Sequence, residues 1–445
     1  MSTGPQVTSP ATTPTRLPAY PPTLTERLRD ILQLRFTAVF AGLPAAALAS
    51  ISPANPLKRL ARVLGYAGLR LVGNLFQPLK NADDLHGKVW LYVVSANNYD
   101  TLAFINQARP NAVLVAGQAK NIGRYNAAVN RLSLRRKLLY YWQFPVVFLG
   151  LLRSEGRLAW RFFDFIFYAI GYYEVYRRAL RHYRPRAVVF SNDHNDDTRS
   201  LLLACQAEGV PTAYVQHASV STYFPPLGFN LNLLEGQDAL DKYRLCGPVR
   251  GRVELVGMPK ADAFLGGKNT QPFIQSVGVA CNVHDPVPAL LAALTFLMQQ
   301  LPELAFTLRP HPSDRRDFSS LRRKLPALQW SDARQENVFA FLQKLDALVA
   351  ADTSTHLEAT MLNLVSIYYQ FGPNPHINDY YGYVAHGLVD NAPDLAELAD
   401  LLRKYQQHKP LDHFHRAGYY NATIGTPHEG HSQELAAAIL TDWLG

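Results

Sequence analysis

The sequence is poor in cysteine and in long apolar runs, and it has fewer acidic than basic residues. Its three cysteines, Cys205, Cys246 and Cys281, lie far apart and form no CxxC pair. They therefore supply neither a disulfide framework nor a zinc site, and they suit a reducing compartment. No stretch of about 18 uncharged apolar residues occurs in the sequence, so no transmembrane helix is predicted.

The sequence also lacks the pattern of a secretory signal, since no charged segment leads into an apolar run near the N-terminus. Pro, Thr and Ser dominate residues 1–22, which are predicted to form a disordered tail. These absences predict a cytoplasmic protein that is either free or held peripherally at the inner face of the membrane.

The net charge is +9, from 44 basic and 35 acidic residues. Such an excess is typical of proteins that bind nucleic acid, an anionic membrane surface, or a polyanionic or phosphorylated substrate. No nucleic-acid-binding motif accompanies it, so nucleic acid is not expected as a partner. Residues 23–80 are basic and helical in pattern, which fits either a helix packed on a domain or an interfacial helix in peripheral contact with anionic lipid.

Short apolar runs alternate with helical patterns over most of the sequence, which predicts the α/β class. The runs at 89–96 and 111–117 are β-branched and nearly continuous, as in strands buried on both faces of a parallel sheet. From 186 to 258, strand and helix patterns alternate at the spacing of βαβ units. A composition shift at 265–273 indicates a linker, and a second alternating series follows it.

We therefore expect two Rossmann-like domains whose parallel sheets face a cleft, preceded by an N-terminal helical segment. The first domain is predicted to span residues 23–264 with helical insertions, and the second to span residues 274–425. The segment 426–445 ends in a helical pattern that is predicted to pack back across the cleft.

One loop of the second domain carries donors suited to phosphate oxygens. Arg309 and His311 lie in the RPHP motif at the end of a predicted strand, where two prolines stiffen the loop. The structural alternative for His311 is a turn residue that is hydrogen-bonded to the backbone.

A second loop, two predicted strands later, is rich in hydroxyl groups. Thr353, Ser354 and Thr355 stand at a strand-to-helix turn, where the helix dipole favours an anion. Glu358 follows about one turn later and is placed to accept hydrogen bonds from ribose hydroxyls. Ordinary N-capping is the alternative explanation for the hydroxyl groups. Together, the two loops predict a site for a nucleotide phosphate.

These motifs resemble those of a set of bacterial GT-B transferases. RPHP (309–312), the DTST turn (352–355) and a preceding QHA (216–218) carry the similarity, which covers roughly residues 185–370. The set includes CDP-glycerol glycerophosphotransferases of teichoic-acid synthesis, bacterial polysialyltransferases and related capsular-polysaccharide enzymes. The resemblance implies that His311 and the Ser354/Thr355 turn hold the phosphate of a cytidine nucleotide.

The resemblance implies the GT-B fold and a metal-independent glycosyltransferase, or a glycerophosphotransferase-like enzyme. The donor would be a nucleotide-activated group, CMP- or CDP-linked, and the acceptor a surface or capsular polysaccharide, free or lipid-linked. No cofactor is expected besides this donor. A sugar-nucleotide epimerase of the same fold and a non-catalytic scaffold of a polysaccharide assembly complex are the alternative functions.

Such a transfer needs a base that deprotonates the acceptor hydroxyl, and we expect it in the first domain. His217 and Asp193 are the candidates, since both follow predicted strands. A satisfied loop histidine and ordinary turn chemistry are the alternatives. The SNDHNDD segment (191–197) around Asp193 also contains metal-ligand types, but helix capping explains most of its residues, so no metal site is predicted.

Overall fold

The computed structural model describes residues 23–43, 45–76, 83–118, 120–372 and 378–445. The predicted tail at 1–22 lies outside the described residues. None of the helices formed by the described residues combines the length and the apolar character that a membrane span requires.

The N-terminal segment is helical, as its pattern predicts. Thr23 begins the first helix with a capping box, because its side chain accepts the Glu26 N–H at 3.2 Å while the Glu26 carboxylate accepts the Thr23 N–H at 3.2 Å. The helices are α1 (Leu24–Ile31), α2 (Ala38–Ala41), α3 (Ala45–Ile51) and α4 (Pro56–Phe76).

The first domain is built on a seven-stranded sheet in the order β3-β2-β1-β4-β5-β6-β7, and every pairing is parallel. The strands are β1 (Val89–Tyr92), β2 (Ala112–Gly117), β3 (Asn130–Leu132), β4 (Ala187–Phe190), β5 (Thr212–Val215), β6 (Leu231–Leu234) and β7 (Arg252–Leu255). The helices are α5 (Ala96–Ala108), α6 (Phe144–Glu155), α7 (Arg157–Arg161), α8 (Phe163–Ala169), α9 (Tyr172–Tyr183), α10 (Asp196–Glu208), α11 (Gln237–Cys246) and α12 (Asp262–Leu265).

The second domain is built on a six-stranded sheet in the order β10-β9-β8-β11-β12-β13, which is also parallel throughout. The strands are β8 (Ser276–Cys281), β9 (Ala305–Pro310), β10 (Gln329–Trp330), β11 (Ala347–Ala350), β12 (Val365–Tyr369) and β13 (Asp390–Ala392). The helices are α13 (Val287–Gln300), α14 (Ser319–Lys324), α15 (Val338–Leu342), α16 (Thr355–Met361), α17 (Leu395–Gln407) and α18 (Ser432–Leu444).

Each sheet is buried on both faces, which explains why the central strands read as continuous apolar runs. In the first sheet, β1, β4 and β5 contribute to one core with α9 and α10 and to another with α5 and α18. In the second sheet, β8 and β11 contribute to a core with α13 and α17 and to a core with α15 and α16.

The C-terminal helix α18 packs on the first domain, although it follows the second domain in sequence. Ala436, Leu440 and Leu444 lie in the same apolar core as β1. The turn that receives the returning segment needs Gly257, whose φ is +78° and whose Cβ would lie 2.5 Å from the hydroxyls of Thr423 and Ser432. The chain therefore closes back over the linker between the two domains.

Candidate functional site

The strand order of each sheet marks the edge at which a ligand is expected. In the first sheet the order reverses between β1 and β4, and in the second it reverses between β8 and β11. In open parallel sheets, ligands bind beyond the carboxyl ends of the strands, in the crevice at such a reversal. The loops after these strands and after their neighbours are therefore the walls of the candidate site.

Asp193 lies in the loop after β4 and is 2 % exposed. One carboxylate oxygen accepts a hydrogen bond from the Tyr243 hydroxyl at 2.6 Å, and the other lies 2.9 Å from Nδ1 of His194. Burial raises the pKa of Asp193, but the hydrogen bonds and the charge of His194 outweigh it and hold the pKa below its ordinary value. Asp193 is thus an ionised group with both oxygens engaged, which makes it a poor proton acceptor.

His217 lies in the loop after β5, and its Nδ1 is buried with no hydrogen-bond partner among the described residues. Burial lowers the pKa of His217 to about 4, the charges of His194 and Lys260 act in the same direction, and Asp193 and the backbone carbonyl of Ser191 oppose them. The imidazole is therefore neutral at neutral pH and can accept a proton. Of the two predicted bases, His217 is the one with a free ring nitrogen.

Glu235 follows β6 and is a third acid–base group that the predicted site residues did not include. Burial raises its pKa to about 7, Lys260 lowers it, and Glu358 and Asp238 raise it. Gln216 fixes Glu235, because Gln216 Oε1 accepts the Glu235 N–H at 2.9 Å and Gln216 Nε2 donates to Glu235 Oε2 at 3.3 Å. A buried carboxyl group that titrates near neutrality is suited to acid–base chemistry.

Lys260 connects the first domain to the predicted nucleotide site of the second. It lies in a 3₁₀ turn after β7, and its Nζ donates to Oε1 of Glu358 at 2.8 Å. Burial lowers the pKa of Lys260, but the carboxylates of Glu358 and Glu235 outweigh it and raise the pKa above its ordinary value. The carboxylate predicted to bind ribose therefore carries a fixed cation supplied from the first-domain side.

The hydroxyl turn lies between β11 and α16, where the sequence pattern places it. Thr353 Oγ1 accepts the Thr355 N–H at 3.3 Å and lies 3.1 Å from Thr355 Oγ1, whereas the Ser354 side chain makes no capping bond. Behind the turn, the buried ring of His356 donates from Nε2 to the Ala351 carbonyl at 3.0 Å, and Nδ1 accepts from Ser366 at 2.7 Å. The His356 ring thus holds the turn in place through its hydrogen bonds to Ala351 and Ser366.

His311 and Arg309 lie in the same loop region but in different surroundings. His311 is exposed, and its Nδ1 accepts the Ser313 N–H at 3.2 Å, so the neutral ring carries its proton on Nε2 as a free donor. Arg309 is 8 % exposed, and its guanidinium donates to Ser331 Oγ at 2.5 Å and to the Glu336 carbonyl at 2.7 Å. His311 therefore keeps an N–H donor at Nε2, whereas Arg309 is engaged within the second domain.

The segment Tyr380–Tyr383 crosses from the second domain to the first. The Tyr383 hydroxyl lies 2.6 Å from Ser219 Oγ, and Lys242 Nζ donates to the Tyr381 carbonyl at 2.6 Å. On the second-domain side, the Tyr380 N–H donates to Asp352 Oδ1 at 2.5 Å. This segment was not among the predicted site residues, and it links the loop after β5 to the loop after β11.

A cavity of about 350 Å³ lies at the strand-order reversal of the second sheet. The loops after β8 and β11 line one side of it, and apolar side chains of the N-terminal segment line another. Its lining is mainly apolar with a few polar groups, as in small-molecule sites. The lining includes Leu34, Val39, Phe40, Tyr223, Asn282, Asp285, Asp352 and Tyr381.

No group of three or more His, Cys, Asp or Glu side chains is placed to hold a metal ion within the part of the chain that the structure describes. In the SNDHNDD segment, Asp193 is bonded to Tyr243, and Asp197 lies 3.0 Å from Lys120 Nζ. These carboxylates therefore serve contacts within the first domain.

Comparisons with known proteins identify the fold. No family model and no curated protein matches the sequence. Among solved structures, a protein assigned as UDP-N-acetylglucosamine 2-epimerase from Listeria monocytogenes superposes with a TM-score of 0.52 at 10% identity, over 80% of this chain and 97% of that chain. The wall teichoic acid polymerase TagF gives a TM-score of 0.49 at 12% identity, over 88% of this chain and 98% of that chain.

The chain has the GT-B fold, because it consists of two parallel α/β sheets of the doubly wound kind and four-fifths of it superposes on an enzyme of that fold. The predicted fold class is thereby confirmed. At this identity the similarity establishes the architecture, and the activity has to be argued from the site.

Proposed function

We propose that this protein is a transferase that moves a glycosyl or glycerophosphoryl-type group from a CMP- or CDP-linked donor onto a surface-polysaccharide acceptor. One observation carries the proposal. His217, Glu235 and Lys260 follow three neighbouring strands of the first sheet, and Lys260 contacts Glu358 beside the hydroxyl turn of the second domain. A proton acceptor and a predicted nucleotide site thus lie on opposite sides of one cleft.

The donor contacts follow from the groups that are still available. His311 Nε2–H and the Ser354 hydroxyl would donate to phosphate oxygens, and Glu358 would accept from ribose hydroxyls. When Glu358 engages ribose, Lys260 is free to turn toward the phosphate and stabilise its developing charge. No metal is needed for this arrangement.

In the reaction, the acceptor oxygen bonds to the transferred group while the bond from that group to the nucleotide phosphate breaks. The hydroxyl proton would pass to the imidazole of His217, and the electron pair of the broken bond stays on the nucleotide phosphate. With a pKa of about 4, the free-enzyme His217 is a weak base. The anionic phosphate of the bound donor would raise this pKa and make His217 a stronger base.

The test is the release of CMP or CDP from candidate donors in the presence of acceptor, separated by chromatography. We expect His217→Gln to lower turnover by about 100-fold or more while donor affinity changes less than about threefold. The exposed His408→Gln serves as the matched control. Full turnover by His217→Gln would remove the proposed base.

A sugar-nucleotide epimerase is the second candidate, and one observation favours it. Glu235, with a pKa of about 7, gives the site a second acid–base group near His217 and Lys260. An epimerase would convert a UDP-sugar without any acceptor, and NMR of the sugar products distinguishes this outcome from acceptor-dependent release of a cytidine nucleotide.

A further inference from the structure

The helix α4 packs on the protein through its polar side and turns its leucines outward. Leu57, Leu60, Leu64 and Leu71 recur at helical spacing and are between 48% and 75% exposed. At 100° per residue they fall on one side of the helix. In a helix that packs on a water-soluble domain, this is the side that is buried.

The opposite side of α4 is rich in arginine and is held by specific contacts. Arg59 is 2% exposed, Arg70 is 7% exposed, and the Arg59 guanidinium lies 5.1 Å from the centre of the Phe163 ring. Arg62 pairs with the buried carboxylate of Asp164 at 3.4 Å. The outward direction of the leucines is therefore fixed by the fold.

Exposed apolar residues continue on the 3₁₀ helix Arg135–Gln143 and on the helices α6 and α7 that follow it. Trp142 is 71% exposed, Val146 65%, Leu149 53% and Trp160 52%. The Trp160 ring lies 6.1 Å from the Phe148 ring of α6. The 3₁₀ helix that contains Trp142 packs against α4, since Lys137 Nζ donates to the Tyr66 hydroxyl at 3.1 Å, so the two groups lie on neighbouring elements. We call the combined surface the apolar face, formed by Leu57, Leu60, Leu64, Leu71, Trp142, Val146, Leu149 and Trp160.

The segments that form the apolar face are rich in basic residues. Residues 56–76 contain four basic and no acidic residues, and residues 135–161 contain six basic residues and one acidic residue, Glu155. Glu155 is paired with Arg29 at 2.6 Å. The exposed basic side chains in these two ranges include Lys58, Arg135, Arg136, Arg153 and Arg157.

We propose that the apolar face docks this protein onto an anionic lipid bilayer. Leucine and tryptophan side chains would enter the boundary between headgroups and acyl chains, and the surrounding arginines would contact lipid phosphates. A second copy of the chain is a poorer occupant, because an isologous contact would bring two strongly basic surfaces together. This partner goes beyond the proposed transfer reaction and needs no catalysis to be tested.

The experiment is co-sedimentation of the full chain with vesicles made of equal parts phosphatidylcholine and phosphatidylglycerol, compared with phosphatidylcholine alone. We expect binding to the anionic vesicles that weakens with added salt and shifts tryptophan emission to shorter wavelength. The double variant Leu64→Ser/Trp142→Ser should bind at least about tenfold more weakly. Arg135→Glu/Arg136→Glu should also weaken binding by about tenfold or more.

The control is Leu245→Ser, which removes a leucine that is 75% exposed on α11 and lies outside the apolar face. It should bind vesicles as the wild type does, and the unfolding temperature of each variant shows that it is folded. Equal binding by Leu64→Ser/Trp142→Ser and the wild type would overturn the proposal. So would a wild-type dimer in sedimentation velocity that this variant converts to monomer, because the face would then join two copies.

Discussion

Three side chains of the first domain, His217, Glu235 and Lys260, are the candidates for chemistry in the cleft, because burial shifts the pKa of the first two and the third carries a positive charge to Glu358. Burial lowers the pKa of His217 to about 4 and raises that of Glu235 to about 7, so at neutral pH the imidazole is neutral and the carboxyl group is partly protonated. Lys260 then supplies the fixed positive charge between them and Glu358. Such divergent environments are how one site holds a proton acceptor and a proton donor together.

The raised pKa of Glu235 makes the folded protein less stable as the pH rises. Its pKa is 4.5 when unfolded and about 7 when folded, so its contribution is full below the unfolded value and is lost as the pH rises through the folded value. Glu235→Gln stays neutral throughout. We compare the unfolding free energy of Glu235→Gln with that of the wild type. From about pH 5 to about pH 8, we expect this difference to rise in favour of the variant by up to roughly 3 kcal/mol.

The measurement is urea unfolding of both proteins at the two pH values. Glu303→Gln, at an exposed position, controls for the effect of buffer on the whole protein. A difference between Glu235→Gln and the wild type that is the same at both pH values would show that Glu235 titrates normally.

The end of β9 and the loop after it separate a residue that is engaged within the second domain from one that is exposed. Arg309 at the end of β9 reaches Ser331 and Glu336 beyond β10, and its guanidinium also lies 4.8 Å from the Phe341 ring centre. His311, two residues later, has its ring held by Ser313 with Nε2 outward. The two donors predicted for one phosphate therefore serve different purposes.

Arg309→Ala is expected to lower the unfolding free energy by about 2–3 kcal/mol, because it removes the guanidinium that binds both Ser331 and the backbone carbonyl of Glu336. Nucleotide affinity should change less than about threefold. Chemical denaturation and calorimetry check the two expectations separately. A large loss of affinity with unchanged stability would instead return Arg309 to the donor site.

The sequence predicts those helices and strands whose own residues show a helical or strand pattern of apolar residues. Central strands such as β1 and β11 read as continuous apolar runs because both faces are covered. The strands β3 and β13 were missed, because three residues with the sequences NRL and DNA have no apolar alternation. They form strands because β3 pairs with β2 and β13 pairs with β12.

The candidate site likewise contains residues that a short motif reveals and contacts that no local pattern predicts. His217, His311 and the hydroxyl turn are recognisable from short motifs, whereas the pairing of Lys260 with Glu358 joins residues far apart in sequence. The same holds for Arg309, which is occupied by side chains that a local pattern does not place beside it. For Glu235, the one local signal is its position directly after a predicted strand, at the edge of the sheet where a ligand is expected.

At the scale of the whole molecule, the two domains are tied together by contacts on both sides of the cleft. Tyr383 and Ser219 join them near the site, and α18 of the C-terminus completes the core of the first domain with Ala436 and Leu440. A polypeptide segment that begins in one domain and ends in the core of the other makes their unfolding interdependent.

Leu440→Ala tests this connection, because Leu440 is 1% exposed in the core shared with β1. We expect a loss of about 2–5 kcal/mol in the unfolding free energy, within a single transition. Leu411→Ala, at a site that is 55% exposed, should change it by less than about 0.5 kcal/mol. A separate early transition in Leu440→Ala would show that the domains unfold independently.

In the proposed reaction, the second domain binds the phosphate of a cytidine nucleotide through His311 and the hydroxyl turn. Titration calorimetry of CMP, CDP, UDP and GDP against the wild type and His311→Ala tests it most directly. We expect CMP or CDP to bind most tightly and His311→Ala to weaken this binding by about tenfold or more. Preference for UDP or GDP would contradict the cytidine donor, and no binding by any nucleotide would contradict the transferase itself.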